Sequence, residues 1–292
     1  MNTSPNIIVV VGPTASGKSD FAIRLAQEHN GEIISADSRQ VYKGLDIGTG
    51  KITDDEMKGV PHHMLSVYEI GEEVSVARYA RDATPILNDI LKRGKTPIIC
   101  GGTGQYIDAL IYSTELPKVP PNKKLREELE KKTNEELFEM LEKKDTERAS
   151  TIDRHNPARL IRALEIVESL GAVPKTTEQT FIYPTTIYLM SPTRDVLRKR
   201  ITARLEKRLR EGMIQEGEEA LRTAQAIYGA SAITMMRKFG LEYVTMAAYL
   251  SGTIQEEVMK EEIITKSMQY VKRQETWNKK YLPFATIVQA EE

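Results

Sequence analysis

The stretch Ile7-Ile8-Val9-Val10-Val11-Gly12-Pro13-Thr14-Ala15-Ser16-Gly17-Lys18-Ser19 decides how the rest of this 292-residue chain is read. Its first five residues are β-branched with no polar interruption, the pattern of a strand buried on both faces. Residues 12–19 then fit G-x-x-x-x-G-K-[ST] without deviation, and Phe21, Leu25 and Ala26 continue at helical spacing. Strand, glycine loop and helix in that order are what a phosphate-binding loop (P-loop) requires. The glycines let successive backbone N–H groups turn toward one anion. The helix N-terminus adds about half a positive charge and Lys18 a whole one. Ser19 stands where a hydroxyl can ligate Mg2+. An unliganded turn has no use for a Lys-Ser pair at the helix mouth, so the loop is expected to hold a polyphosphate of the kind nucleotides carry.

Working outward, further strands are expected at Glu32–Ala36, Pro97–Cys100 and Thr185–Met190, with helices between them, including Arg78–Arg93. Strands alternating with helices imply an α/β fold with a parallel sheet. After Leu116 the composition changes. Pro117, Pro120 and Pro121 break the chain, and Lys123–Lys144 is rich in Glu and Lys with Leu at helical spacing, as in an exposed amphipathic helix or helix pair. Residues 117–182 are therefore expected to be a mostly helical insertion in a core made of 1–116 and 183–292. Asn156–Leu170, Asp195–Glu211, Glu219–Ala226, Leu241–Leu250 and Glu256–Tyr281 also have helical patterns.

With 40% hydrophobic and 28% charged residues, the chain is neither disordered nor a low-complexity scaffold. Its one cysteine, Cys100, excludes an internal disulfide and a Cys-rich zinc module. A net charge of −1 means that any nucleic-acid binding must come from local basic patches. Ile7–Val11 is far shorter than the roughly 20 apolar residues that span a bilayer, and Met1–Asn6 lacks the basic start of a secretory signal. The expectation is a cytoplasmic enzyme with no membrane partner. His62 and His63 are adjacent, but the other histidines, His29 and His155, build no zinc set with them.

A P-loop specifies a polyphosphate and not a reaction. A kinase would want a second acidic residue after a strand, yet Pro97–Cys100 runs into Gly101-Gly102-Thr103-Gly104, and Thr185–Met190 into Ser191-Pro192. The clear acid at a strand end is Asp37. Together with Ser35-Ala36-Asp37-Ser38-Arg39-Gln40-Val41-Tyr42 through Asp46-Ile47-Gly48-Thr49, then Gly59-Val60-Pro61-His62-His63, Gly101–Tyr106, Arg159–Glu165 and Lys272-Arg273-Gln274-x-Thr276-Trp277, the P-loop resembles the bacterial tRNA dimethylallyltransferase (isopentenyltransferase) family. The quoted segments run from residue 12 to residue 277 in the family's order. The chain departs from the usual pattern at Phe239–Tyr243 and at His155-Asn156-Pro157-Ala158.

The resemblance implies a P-loop NTPase-like parallel sheet core with a mostly helical insertion. It implies Mg2+-dependent transfer of a dimethylallyl group from dimethylallyl diphosphate to the N6 amine of the adenosine 3′-adjacent to the anticodon in tRNA. Asp37 falls at the family's general-base position, the reading preferred over a helix cap or a Mg2+ ligand. Thr103 matches a threonine placed near the bridging oxygen, and Arg204, in preference to Arg200, the arginine on the diphosphate. Ser38, Arg39 and Gln40 resemble the segment that reads the flipped nucleotide, and Ala158-Arg159-Leu160-Ile161-Arg162 another tRNA-contacting stretch. Lys123, Lys124 and Arg126 on the insertion, and Lys272 and Arg273 near the C-terminus, are basic residues that suit phosphate or a solvated face. Residues 194–211 carry eight Lys or Arg against three acids. Trp277 is expected to anchor the last helix. The partners implied are the tRNA anticodon stem-loop and the diphosphate donor, with a monomer as the working unit. Two other enzymes share the P-loop: a prenyltransferase acting on free adenine nucleotides and a small-molecule kinase. A non-catalytic RNA-binding protein is the third reading.

Overall fold

A computed structural model of the chain describes residues 6–113, 117, 119–174 and 180–289. Among them are the strands β1 (Ile7–Val11), β2 (Gly31–Ser35), β3 (His62–His63), β4 (Thr96–Cys100), β5 (Thr185–Met190) and β6 (Ala285–Val288). They form one parallel sheet in the order β3-β2-β4-β1-β5-β6. The unbroken apolar sequence of β1 follows from burial on both sides. Ile7, Val9 and Val11 face one core with Ile34, Ile99, Ile187 and Leu189. Ile8 and Val10 face another with Ile33, Ile98, Cys100 and Met190. Register fixes what leaves the sheet. Val10 pairs with Cys100, and Cys100 with Ser35. Two residues past that level stand Gly12, Gly102 and Asp37, at the carboxyl ends where parallel sheets take ligands.

The helices before residue 112 are α1 (Lys18–Glu28), α2 (Asp54–Met57), α3 (Val76–Lys92) and α4 (Gly104–Ile111). Then come α5 (Lys123–Leu129), α6 (Asn134–Lys144), α7 (Thr146–Thr151) and α8 (Pro157–Leu170), and after β5 α9 (Arg194–Arg210), α10 (Met213–Tyr228), α11 (Ala232–Met235), α12 (Leu241–Leu250) and α13 (Glu256–Asn278). The Ala22, Ile23, Leu25 and Ala26 face of α1 covers β1.

The chain divides into two compact units, Met1–Tyr112 with Phe181–Glu292, and Ser113–Thr180. The division falls before the proline break, because Tyr112 bridges to Phe181 and stacks on it at 5.0 Å, which keeps both within the larger unit. Leu116, where the sequence changes character, lies outside the described residues. The smaller unit has its own core of Leu129, Leu137, Leu141, Leu160, Ile161, Leu164 and Val167. Lys123–Lys144 is a helix pair and not one helix. Thr133 starts α6 with a capping box to Glu136, which satisfies two otherwise unpaired N–H groups.

Two strands escape the sequence reading. β3 is two half-buried histidines, and β6 follows a long helix at the sheet's edge. β2 begins one residue earlier than expected, at Gly31, and Glu32 within it lies in the interior, 3% exposed. Arg93 holds that carboxylate with two hydrogen bonds of 2.5 and 2.8 Å, Lys95 adds one of 2.7 Å, and His63 Nε2 lies 2.8 Å away. His62 Nδ1 contacts the Val60 carbonyl at 2.8 Å. The histidine pair thus closes the sheet edge. The Arg93 hydrogen bonds, joined by Lys95 and His63, outweigh desolvation and hold the Glu32 carboxyl far below the usual range. A depressed carboxylate stabilises the fold above the ordinary glutamate value of about 4.3 and loses that contribution as pH falls below it. Glu32→Gln is expected to cost about 2 kcal/mol at neutral pH, with the deficit shrinking toward about pH 3. Urea midpoints across that range measure it, and a deficit independent of pH would count against this origin.

Candidate active site

The loop after β1 is shaped by backbone sterics. Gly12 has φ +152°, and a Cβ there would lie 2.8 Å from both Cβ and O of Met190. Ala15, at φ +61°, and Gly17, at φ +86°, take the left-handed conformation. A turn of this kind at the start of α1 is a ready anion site. Lys18 folds back to donate to the Pro13 carbonyl at 2.6 Å. Desolvation in the cleft lowers its ammonium to about 8, against the pull of Cys100 and Asp37. The Ser16 hydroxyl is buried in the same turn with no hydrogen-bond partner among the described residues. Ser19 is exposed at the mouth.

Asp37 begins its own turn. Its Oδ1 accepts the Arg39 N–H at 2.8 Å and the Gln40 N–H at 3.5 Å. Thr103 braces this turn from the next loop. Its N–H donates to Ala36 O at 3.0 Å, and its Oγ1 accepts the Ser38 N–H at 3.0 Å and lies 3.2 Å from Ser38 Oγ. Gly101 permits the approach, since a Cβ on it would meet the Ala36 carbonyl at 2.1 Å.

Residues 14–20 and Asp37 line one cleft of about 1040 Å³, with Arg200, Arg204 and Arg208 of α9 on its wall. Spaced four apart, these arginines share a helix face. Desolvation lowers Arg204 to about 10, with repulsion from Arg208 adding to it. Desolvation lowers Arg208 as well, and its Nη1 donates to Gly48 O at 3.2 Å. Gly50, at φ +62°, makes room: a Cβ there would overlap the Arg208 guanidinium. The loop carrying Gly48 and Gly50 hangs on Glu216 of α10. Its carboxylate accepts the N–H groups of Asp46, Ile47 and Gly48 at 2.8, 2.7 and 2.8 Å, and the Tyr243 hydroxyl at 2.5 Å.

The residues singled out in the sequence therefore divide. Residues 14–19 of the cradle, Asp37, Gln40, Arg200 and Arg204 come together at one cleft; Gly12 and Pro13 shape the loop without lining the cleft, and Thr103 stands behind Asp37. The Arg39 guanidinium donates to Lys238 O, and Gln40 Nε2 to Gly50 O at 3.1 Å. Lys272 and Arg273 are exposed on α13. Trp277 is half-buried against the main core, with Lys280 Nζ 4.3 Å from its ring. In the smaller unit Ala158 and Arg159 are exposed, but Leu160 and Ile161 fill the core, because the apolar face of α8 points inward. Arg126 holds the buried Glu165 at 2.7 and 2.9 Å; Arg162 contacts Glu165 at 3.3 Å and Val119 O at 2.9 Å. These two cations serve an internal carboxylate. Among the described residues no group of three or more His, Cys, Asp or Glu could hold a metal.

Sequence reasoning missed Arg208, Glu216 and Gln274. Arg208 was visible as the next step of the Arg200, Arg204 series. Glu216 and Gln274 act on loops more than 160 residues away; no local pattern marks Glu216, and the segment 272–277 contains Gln274 without indicating what it reaches.

A phosphate cradle at the centre of a parallel sheet, faced by a carboxylate and an arginine-lined wall, defines a P-loop protein built to bind a polyphosphate and act beside it. The family described as IPP transferase matches residues 40–281. A tRNA dimethylallyltransferase of Anoxybacillus flavithermus is 38% identical over 285 residues, covering 95% of this chain and 88% of the relative. A tRNA dimethylallyltransferase 2 of Treponema denticola is 40% identical over 278 residues, covering 93% and 91%. Among solved structures, a tRNA isopentenylpyrophosphate transferase of Bacillus halodurans superposes with TM-score 0.71 at 34% identity, covering 98% of this chain and 90% of that one. A eukaryotic dimethylallyltransferase acting on tRNA superposes with TM-score 0.84 at 26% identity, covering 99% and 75%. The chain belongs to the IPP transferase family, the family of the tRNA dimethylallyltransferases.

Inorganic diphosphate probes the cradle. Binding favours the charged form of Lys18, so affinity should weaken as pH rises through about 8, by up to about tenfold per pH unit. Lys18→Met should remove that part of the slope. Calorimetric titrations of both proteins between about pH 6.5 and about pH 9 read the difference. Identical slopes would assign the titration to another group.

Proposed function

We propose that this protein transfers a dimethylallyl group from dimethylallyl diphosphate to the N6 amine of the adenosine 3′-adjacent to the anticodon in tRNA. The observation that carries the reading is that Asp37 and Lys18 line one cleft and feel each other's charge. The N6 lone pair of adenine is delocalised into the ring, so the amine attacks weakly until its proton is removed. Asp37 takes that proton as the N6–carbon bond forms and the carbon–oxygen bond to diphosphate breaks. Charge developing on the leaving diphosphate meets the cradle N–H groups, Lys18 and Arg204, donors fixed before the reaction begins. Thr103 keeps the Asp37 turn in place through its N–H and its hydroxyl.

A divalent cation suits the residues present. The Ser19 hydroxyl is exposed at the loop mouth, and the Asp20 and Asp37 carboxylates line the same cleft. Mg2+ held there would neutralise diphosphate charge.

The acceptor base must leave its stack, at a cost of a few kcal/mol. Ser38, Arg39 and Gln40 follow Asp37 directly, with Gln40 lining the cleft, and are the segment proposed to meet the extruded nucleotide. Lys272 and Arg273 on α13, and Lys123, Lys124 and Arg159 on the smaller unit, are exposed cations for the tRNA backbone. The relatives' names support tRNA as the acceptor. The proposed working unit is a monomer, acting in the cytoplasm with its tRNA.

Radiolabelled dimethylallyl diphosphate and unmodified tRNA should yield labelled tRNA. Label found only in AMP, or none at all, would overturn the reading. Asp37→Asn should lower kcat by about 10²–10⁴-fold and leave tRNA affinity unchanged; near-normal turnover would remove Asp37 from the base role.

A further inference from the structure

Gln274 lies on α13 and is 5% exposed. Its Oε1 accepts the Thr14 backbone N–H at 2.8 Å. Its Nε2 donates to the Gly102 carbonyl at 3.1 Å. Thr14 belongs to the phosphate cradle. Gly102 precedes Thr103, whose N–H and hydroxyl are bonded to Ala36 and Ser38 on either side of Asp37. One amide therefore closes a chain of hydrogen bonds from the cradle to the carboxylate. The glycines of residues 101–104 admit this contact. A Cβ on Gly102 would stand 2.2 Å from Gln274 Nε2, and one on Gly104 would stand 2.0 Å from Trp277 Nε1. Tyr270, one turn earlier on α13, brings its hydroxyl within 3.4 Å of the same Gly102 carbonyl.

We infer that Gln274 is a positioning residue for the transfer reaction, setting the spacing between the diphosphate cradle and the Asp37–Thr103 pair. The inference rests on the function proposed above. The site needs one acceptor and one donor side by side, and a neutral amide supplies both. A carboxylate would keep the bond to Thr14 but turn an oxygen toward the Gly102 carbonyl. A protonated carboxyl restores acceptor and donor together. Loss of the bridge lets the two halves of the site drift, and a misplacement of about 1 Å costs on the order of 10²-fold in rate.

This chemistry gives a test that a merely structural role does not pass. At about pH 8, Gln274→Glu should lower kcat by about 10–100-fold, with KM for each substrate held within about threefold. A carboxyl buried against a carbonyl titrates well above the ordinary value of about 4.3. The ratio of variant to wild-type kcat should then rise about tenfold toward about pH 6. Gln274→Met should show a similar loss with a flat ratio. Lys18, Asp37, Cys100, Tyr270, Arg200 and Arg204 line the same cleft and are common to all three proteins, so they cancel in the ratio. A flat ratio for Gln274→Glu, or near-normal kcat in Gln274→Met, would overturn the inference. Amide hydrogen exchange on the full chain separates this result from the wider reading. Thr14 N–H should be protected in the wild type and exposed in Gln274→Met. Protection without any transfer by the wild type would sink the proposed function and leave the bridge standing. An unprotected Thr14 in the wild type would remove the bridge itself.

Discussion

Cations gathered at a cleft without equal countercharge dominate this structure. Lys18 is folded against its own loop and partly stripped of water, and Arg204 and Arg208 stand one turn apart on the opposing wall. Each would gain by moving into solvent, and the arginines would gain by moving apart. The loop, the sheet register and the glycine at position 50 keep them together. Such a site is complementary to an anion before the anion arrives. Its donors need no reorganisation when charge shifts during reaction, which is where fixed dipoles and cations act most strongly.

That preorganisation depends on two polar side chains remote from the cleft in sequence. Glu216 gathers three consecutive backbone N–H groups and thereby shapes the loop that receives Arg208. Gln274 joins the cradle to the loop behind Asp37. Both replace water at groups that would otherwise be stranded when helices close over the strand ends, and a stranded buried donor costs about 1–3 kcal/mol. The glycines at 48, 50, 102 and 104 belong to the same construction, because each lets a side chain from a later helix come within contact distance of the backbone.

The smaller unit follows different rules. Its helices carry conventional caps at Asn122, Thr133, Asp145 and Asn156, and its core is aliphatic. Its buried carboxylate Glu165 is pushed up by desolvation but brought down further by Arg126, the Asn122 N–H and Arg162. Residues that looked like a basic strip for nucleic acid are thus split between an interior ion cluster and an exposed remainder.

The sequence by itself determined the elements that local chemistry specifies: the buried strands, the P-loop and the helix it opens, the acid at the end of the second strand, and the helical character of the inserted segment. Hydrophobic period, glycine placement and the Lys-Ser pair act over a few residues, so they are legible in order. Only the tertiary structure decided that β3 and β6 complete the sheet, that Glu32 is buried and held by Arg93, Lys95 and His63, that Arg126 faces the carboxylate of Glu165, and that Gln274 reaches the cradle. Those outcomes depend on pairs more than twenty residues apart or on edge strands too short to carry a periodic signal. A side chain's hydrogen-bond partner is set by how helices and sheet close in space, which no run of neighbouring residues records.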